Sequence, residues 1–255
     1  MITALLVSVN YSDYSEVVLP YNTKQFDQII VLTIESDKTC QEVCSKYSNV
    51  KCLVFPDEIL KKNGKTFNKG ALINKGFEYL NEIGYSDWLV MTDSDIIFPE
   101  NFKELMHSKE KDPNILYGME RRHCVNLNRF KRYMRDKKNI NMQPKEKFHD
   151  YFMGYCQIFI YKDNRLKYDE NCNAEDSDII FLTNFSEEFK EFKEFKQFKQ
   201  FKQFMSNRSV KGSTRRLHDK IKSINNFILL TTDDFVLHLG IQQLNWEGRT
   251  TPQFV

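Results

Sequence analysis

Two aspartates one residue apart, Asp93 and Asp95, stand directly after the apolar run Trp88-Leu89-Val90-Met91-Thr92. A buried strand there fixes both carboxylates at the rim of a sheet, and Ser94 between them lets both acids approach one hard divalent cation or its bound waters. Such a cation takes oxygen ligands and keeps open positions for substrate phosphates. The same pattern also serves as a simple turn or helix cap, so it needs partners before it signifies chemistry. Several residues are candidates. His238 lies in the apolar run Phe235-Val236-Leu237-His238-Leu239 and is either a satisfied core histidine or a nitrogen donor. Asp176, beside Glu175, is either a helix cap or a base. Lys69, between Asn68 and Asn74 on one helix-like stretch, is suited to meet a phosphate or a hydroxyl group. Trp246 and Arg249 either close over an anionic ligand or pack the C-terminal tail.

The elements that must position these groups are legible in the first half. Thr3 to Val9, Gln28 to Ile34, Lys51 to Phe55 and Asp87 to Thr92 are short runs rich in Val, Ile and Leu bounded by polar turns, and read as buried strands. Helix-like stretches lie between them, Asp37 to Tyr47 and Phe67 to Ile83. The second carries Leu72, Ile73, Gly76, Phe77 and Leu80 near the 3.6-residue period, with Gly84 as its C-terminal stop. Strands alternating with helices imply a mainly parallel sheet covered on both faces. Ligands of such sheets bind beyond the carboxyl ends of the strands, and Asn10, Tyr11, Asp37 and Asp93 all follow strand ends. In the second half Asn114 to Met119, Phe152 to Tyr161, Phe227 to Thr231 and Phe235 to Leu239 read as further strands, and Ala174 to Leu182 as a helix. Gly118 and Gly154 mark turns or close backbone approaches.

Composition sets the bounds. The chain has 255 residues, 41% hydrophobic and 28% charged, with a formal net charge of +2, which fits one folded domain over 1–255 and does not by itself indicate nucleic acid or an acidic partner. Met1 to Val9 lacks a basic leader and a cleavage site, and no apolar run approaches the roughly 18 residues that span a bilayer. A cytoplasmic protein is expected. The 6 cysteines form no CxxC pair or dense framework, so free thiols are expected. Cys40 and Cys44 share a helical face, but no second Cys/His pair stands at zinc spacing.

The stretch Phe67-Asn68-Lys69-Gly70-Ala71-Leu72-Ile73-Asn74-Lys75-Gly76-Phe77, followed by an apolar strand and Asp93-Ser94-Asp95, resembles the β-1,4-galactosyltransferase family. There a similar Phe-Asn-initiated helix precedes a strand ending in a DxD motif. Gly154 to Phe159, Tyr168 to Asn171 and Glu175-Asp176 look like that family's strand leading to a Glu-Asp pair. The resemblance covers roughly residues 1–182 and 227–249. It implies a GT-A (Rossmann-like) fold, with a mainly parallel sheet flanked by helices and a smaller mixed C-terminal part. Residues 1–110 would be the nucleotide-sugar half and 111–255 the acceptor half. It further implies a metal-dependent glycosyltransferase using a nucleotide diphosphate sugar, UDP-linked, with inversion at the transferred sugar. Asp95 and His238 would ligate Mn²⁺ or Mg²⁺, Asp93 would hold ribose or a metal-bound water, and Asp176 would be the base, with Glu175 beside it. Asn10, Tyr11 and Asp37 would be nucleoside contacts, Tyr11 offering a ring to uracil; Asn68, Lys69, Asn74, Trp246 and Arg249 complete the donor-side set. The family's Trp-Gly-rich stretch is replaced here by Asn171-Cys172-Asn173-Ala174, so neither the acceptor, whether glycan, protein or another hydroxyl, nor galactose as donor sugar carries over.

Two segments lie outside this pattern. Arg121 to Lys138 is rich in Lys and Arg and reads as a solvated basic helix or loop, or as a surface for phosphates of an acceptor or of lipid headgroups. In 187–204, Phe189, Phe192, Phe195, Phe198, Phe201 and Phe204 recur at a spacing of three, almost always followed by Lys. On an α-helix these rings wind round the axis rather than forming one face, which reads as a low-complexity insert; a peripheral membrane or self-association element is the other reading. Two other functions compete with the transferase. A haloacid-dehalogenase-like phosphotransferase also bears DxD after a strand, but usually with Gly-Thr following where Ile96-Ile97 stands here. The other is a non-catalytic GT-A binding module.

Overall fold

The structure, a computed structural model, describes residues 1–124, 126–136, 155–162, 166–171, 181, 227–230, 235–240, 248–249 and 254. The expected helix at 174–182, apart from Phe181, the insert at 187–204, and Glu175, Asp176 and Trp246 lie outside the described residues.

The first half alternates as its periodicity requires: β1 (Ile2–Val7), α1 (Ser12–Asn22), β2 (Gln28–Ile34), α2 (Lys38–Ser45), β3 (Val50–Phe55), α3 (Lys69–Glu82) and β4 (Trp88–Asp93). A 3-10 segment, Asp57–Gly64, joins β3 to α3. There follow β5 (Ile96–Ile97), α4 (Phe102–His107), β6 (Leu116–Gly118), β7 (Glu120–Cys124), α5 (Leu127–Arg135), β8 (Cys156–Ile160), β9 (Phe227–Leu229) and β10 (Phe235–Leu239). Among the described residues the larger sheet has seven strands in the order β3-β2-β1-β4-β8-β6-β9, and the smaller has three, β5-β10-β7. The pairs β1/β2, β1/β4, β2/β3 and β6/β9 are parallel, and β8 runs antiparallel to both β4 and β6. This is the mainly parallel α/β arrangement with a smaller mixed sheet that the sequence led us to expect.

Side-chain alternation along β1 builds two cores. Ile2, Ala4 and Leu6 join Ile29, Val31, Cys40, Val43, Cys44, Trp88 and Phe102 on the face covered by α1, α2 and α4. Leu5 and Val7 join Leu32, Leu72, Phe77, Leu89 and Met91 under α3. Burial on both faces explains why these strands read as continuous apolar runs. Gly76 lets α3 approach closely, because a Cβ there would lie 2.8 Å from Leu5 Cδ1 and 3.0 Å from Leu32 Cδ1. Gly84, at φ +63, ends the helix, and Tyr85 N–H donates to Leu80 O at 2.9 Å as in a Schellman closure. A third core, with Tyr14, Val18, Ile97, Phe130, Leu237 and Leu239, ties α1 and α5 to the smaller sheet.

The segment expected as a basic helix or loop at Arg121–Lys138 divides differently. Arg121 to Cys124 belong to β7, and among the described residues of the segment Leu127–Arg135 is helical, as α5. Pairing with β10 overrides the polar character of Glu-Arg-Arg-His-Cys, and His123 is buried. Among the described residues no helix is long and apolar enough to cross a membrane, and the five described cysteines are free thiols.

Candidate functional site

The parallel order of β2, β1 and β4 brings their carboxyl ends to one rim. Val7 is opposite Asp93 and also opposite Leu32, so the loops after all three strands are neighbours. The central strand is anchored from behind, where Thr92 Oγ1 donates to Tyr155 O at 2.9 Å. Asp93 ends β4, and β5 begins at Ile96.

β5 then brings in the late histidine. Pairing sets His238 opposite Ile96, and Leu239 N–H donates to Asp95 O at 2.8 Å. His238 Nε2 consequently lies 3.6 Å from Asp95 Oδ2, within ion-pair range but too long for a good hydrogen bond. The other oxygen, Asp95 Oδ1, is buried with no hydrogen-bond partner among the described residues. A buried carboxylate oxygen left in this way costs free energy unless a ligand satisfies it.

Lys69 arrives from the opposite side. Asn68 caps α3 by accepting from Ala71 N–H at 2.9 Å, which orients Lys69 at the start of the helix. Its Nζ reaches Asp93 Oδ1 at 2.5 Å. The two aspartates are therefore unlike. Burial opposes ionisation of Asp93, but Lys69 more than offsets it and the carboxyl sits below its ordinary range. At Asp95, burial and then the charge of Asp93 push the carboxyl up to about 7. Burial, then the positive charge of Arg121, push His238 down to about 3, so its imidazole is neutral. A divalent cation placed here would favour the carboxylate form of Asp95 and would require the neutral imidazole of His238.

Two further residues belong to this cluster and were hidden in the basic segment. Arg121 and His123 alternate along β7 with Glu120 and Arg122, which pair with each other. Arg121 lies over the Tyr155 ring, 4.3 Å from its centroid. His123 is opposite His238 in register, with their Nδ1 atoms 3.1 Å apart. No local signal in the sequence marks them, because Glu120-Arg121-Arg122-His123 is polar throughout and becomes a strand through its pairing with β10.

The remaining candidates form two other groups. Asn74 donates to Tyr168 O at 3.0 Å and Glu170 Oε1 at 2.8 Å and accepts from Tyr168 N–H at 2.8 Å. Asn68 also donates to Glu170 O at 2.9 Å. Both amides thus hold the 168–170 segment on α3, and of the three candidates on that stretch it is Lys69 that reaches Asp93. Beyond β1, Asn10 adopts φ +60 and its N–H donates to Asp37 Oδ2 at 2.6 Å, while Asp37 Oδ1 caps α2 through Cys40 N–H at 3.1 Å. Arg249 donates to Asn10 O at 2.6 Å and to Asp13 Oδ2 at 2.8 Å, and its guanidinium lies 4.8 Å from the Tyr11 ring centroid. Asn10, Tyr11, Asp37 and Arg249 therefore gather at one place. Among the described residues no group of three or more His, Cys, Asp or Glu is arranged to hold a metal ion. Asp95 and His238 are therefore a pair of candidate ligands, not a closed cage.

No protein-family model matches the chain, and the comparison with curated proteins finds no match. Solved structures share parts of the arrangement. A 4-diphosphocytidyl-2C-methyl-D-erythritol synthase from Anaerococcus prevotii is 10% identical over 95% of this chain and 93% of that one, with a TM-score of 0.42. A galactosyltransferase in complex with donor and acceptor sugar analogues is 14% identical over 62% of this chain and 57% of that one, with a TM-score of 0.37. The glucosyl-3-phosphoglycerate synthase of Mycobacterium tuberculosis, in complex with Mn²⁺, UDP-glucose and glycerol 3-phosphate, is 19% identical over 48% and 44%, with a TM-score of 0.34. At these scores the similarities assign neither a family nor an activity.

Proposed function

We propose that the chain is a metal-dependent GT-A glycosyltransferase that moves a sugar from a nucleotide diphosphate sugar, UDP-linked, to an acceptor hydroxyl with inversion. The observation that carries this reading is Asp95. One of its oxygens is buried without a hydrogen-bond partner among the described residues, and the other lies 3.6 Å from His238 Nε2. A carboxylate oxygen beside a neutral imidazole nitrogen is a donor pair that suits Mn²⁺, so the residues present fit the ion that the sequence pattern implies. The resemblance of the Asn68-to-Phe77 helix and the Asp93-Ser94-Asp95 turn to β-1,4-galactosyltransferases supports the same reading.

When bound to Asp95 and His238, the cation supplies charge neutralisation to the departing diphosphate. The chain's own groups do the rest. Lys69 restrains Asp93 and adds positive charge to the rim, and Arg121 adds more from β7. Asp93, about one third exposed at 35%, is available to a ribose or a bound water. Tyr11, Asn10 and Arg249 form the nucleoside side, with Asp37 fixing the Asn10 loop. Asp176, with Glu175 beside it, takes the proton from the acceptor hydroxyl, whose oxygen then attacks the anomeric carbon from the face opposite the leaving group.

The test is a screen of UDP-sugars for hydrolysis or transfer with Mn²⁺, in excess EDTA, and in Asp95→Ala. Turnover is expected with Mn²⁺ alone, and full activity in EDTA or in the variant sinks the scheme. Retained configuration at the transferred sugar removes Asp176 from its role and leaves the metal site standing. A rise in melting temperature with UDP that needs Mn²⁺, but without turnover of any sugar nucleotide, identifies a binding module instead.

A further inference from the structure

The rim contains a second histidine that the proposed chemistry does not use. β10 runs parallel to β7 with His238 opposite His123, and antiparallel to β5 with His238 opposite Ile96. This double pairing fixes the backbone of His238 from both sides. The two imidazoles meet edge to face at 70°, with centroids 4.7 Å apart and Nδ1 atoms 3.1 Å apart. A hydrogen bond between two ring nitrogens requires one N–H and one lone pair, so the rings share one proton along that line. The direction of the bond decides what His238 offers to the rim. If its Nδ1 accepts, its Nε2 carries hydrogen and cannot ligate. If its Nδ1 donates, Nε2 presents a lone pair on the side where Asp95 Oδ2 lies 3.6 Å away.

We propose that His123 is a positioning residue for cation capture: it accepts the Nδ1–H of His238 and so holds the Nε2 lone pair of His238 toward Asp95. The inference rests on the metal-dependent reading above. Metal-bound histidines almost always donate their second ring N–H to a fixed acceptor, and loss of that acceptor typically costs about 10–100-fold in metal affinity. Here the acceptor is another imidazole, supplied by the neighbouring strand in register. Only one of the two nitrogens of His123 is committed by this role, and its own Nδ1 must carry no hydrogen.

The experiment measures Mn²⁺ binding to the full chain by electron paramagnetic resonance of free Mn²⁺, with UDP present. The variants are His123→Phe, His123→Asn and His238→Ala. His123→Phe keeps a ring without an acceptor and is expected to weaken Mn²⁺ about 10–100-fold; His123→Asn, whose side-chain carbonyl can accept, is expected to recover most of the loss. Wild-type affinity in His123→Phe overturns the proposal. So does a loss in His123→Asn as complete as that in His238→Ala, because His123 is then itself a ligand. If the wild-type chain binds no Mn²⁺ at all, the metal-dependent reading fails and takes the proposal with it, whereas loss confined to His238→Ala removes the proposal alone. Nitrogen-15 spectra of the histidines of the wild-type chain with saturating Mg²⁺ and UDP give an answer that needs no variant to fold. The Nδ1–H form of His238 is expected, and the Nε2–H form overturns the assignment.

Discussion

Lys69, the first residue of α3, reaches across the rim to Asp93 at the end of β4, with Nζ 2.5 Å from Oδ1. The pair joins the helix that covers one face of the sheet to its central strand, at the position where a diphosphate would lie. Because Asp93 is about one third exposed, the ion pair is worth no more than about 1 kcal/mol to the fold. Its larger effect is electrostatic.

Removing the ammonium leaves Asp93 unneutralised beside Asp95, so Lys69→Met is expected to tighten Mn²⁺ alone by a few-fold while weakening UDP binding by a similar factor. Titrations of Mn²⁺ and of UDP, each in the absence and presence of the other, check both signs. If the two affinities fall together, Lys69 is supporting the rim as a whole rather than balancing its charge.

Asp95 makes a prediction through pH. Its carboxyl is pushed up to about 7 in the folded chain, against an ordinary 3.8. Between those values the native state holds a proton that the unfolded state has released, so this group's contribution to stability falls as pH rises from about 4 to about 7. Asp95→Asn cannot ionise. In EDTA the melting temperature of Asp95→Asn is expected to exceed the wild-type value by more at pH 7 than at pH 4. Added Mn²⁺ and UDP should then raise the wild-type temperature and leave the variant unchanged. Parallel melting profiles across that window would remove the idea that Asp95 is held in an unfavourable charge state for a ligand.

The contrast between these groups shows what the sequence could and could not disclose. β1, β2 and β4 are legible because burial on both faces makes each a continuous apolar run. The stop of α3 at Gly84 is legible because helix ends have local chemistry. α1 is not legible, since it is only weakly amphipathic and carries Pro20 inside it. β7 was hidden for a different reason: its sequence is charged, and it becomes a strand only because β10, over a hundred residues later, pairs with it. Sequence periodicity cannot register that long-range partner, and Arg121 and His123 were hidden with it. Asn68 and Asn74 stand among the donor-side candidates of the sequence, and nothing local there reveals that Tyr168 and Glu170 return to occupy their amides.

That occupation is itself testable. Asn74 accepts from Tyr168 N–H and donates to Tyr168 O and Glu170 Oε1, and truncation leaves the buried backbone groups of Tyr168 without their partner. Asn74→Ala is expected to cost about 2 kcal/mol in urea denaturation, with little change in Mn²⁺ affinity, because Asn74 has no bond to Asp93 or Asp95. A large loss of Mn²⁺ binding at unchanged stability would instead return Asn74 to the donor side.

Arg249 joins the end of the chain to its beginning, and its chemistry gives a prediction with the opposite pH sign to that of Asp95. Its guanidinium pairs with Asp13 and lies beside the rings of Tyr11 and Tyr14, while Phe254 N–H also donates to Asp13 Oδ2 at 2.7 Å. Burial raises the cost of ionising Asp13, yet Arg249 and the Phe254 amide outweigh it and hold the carboxyl below its ordinary 3.8. A depressed carboxylate stabilises the fold at pH values above the unfolded 3.8, and that contribution is lost as pH falls through the lower folded value. Arg249→Met removes the charge and the fork of donors but keeps an apolar stem against Tyr11 and Tyr14. The variant is therefore expected to lose roughly 2 kcal/mol near neutral pH, and much of the difference from wild type should disappear in acid, once Asp13 is protonated in both chains. Denaturant midpoints measured at neutral pH and again well below pH 3.8 decide the matter: a gap that stays constant would mean that Arg249 acts through its packing on Tyr11 and Tyr14 rather than through its charge.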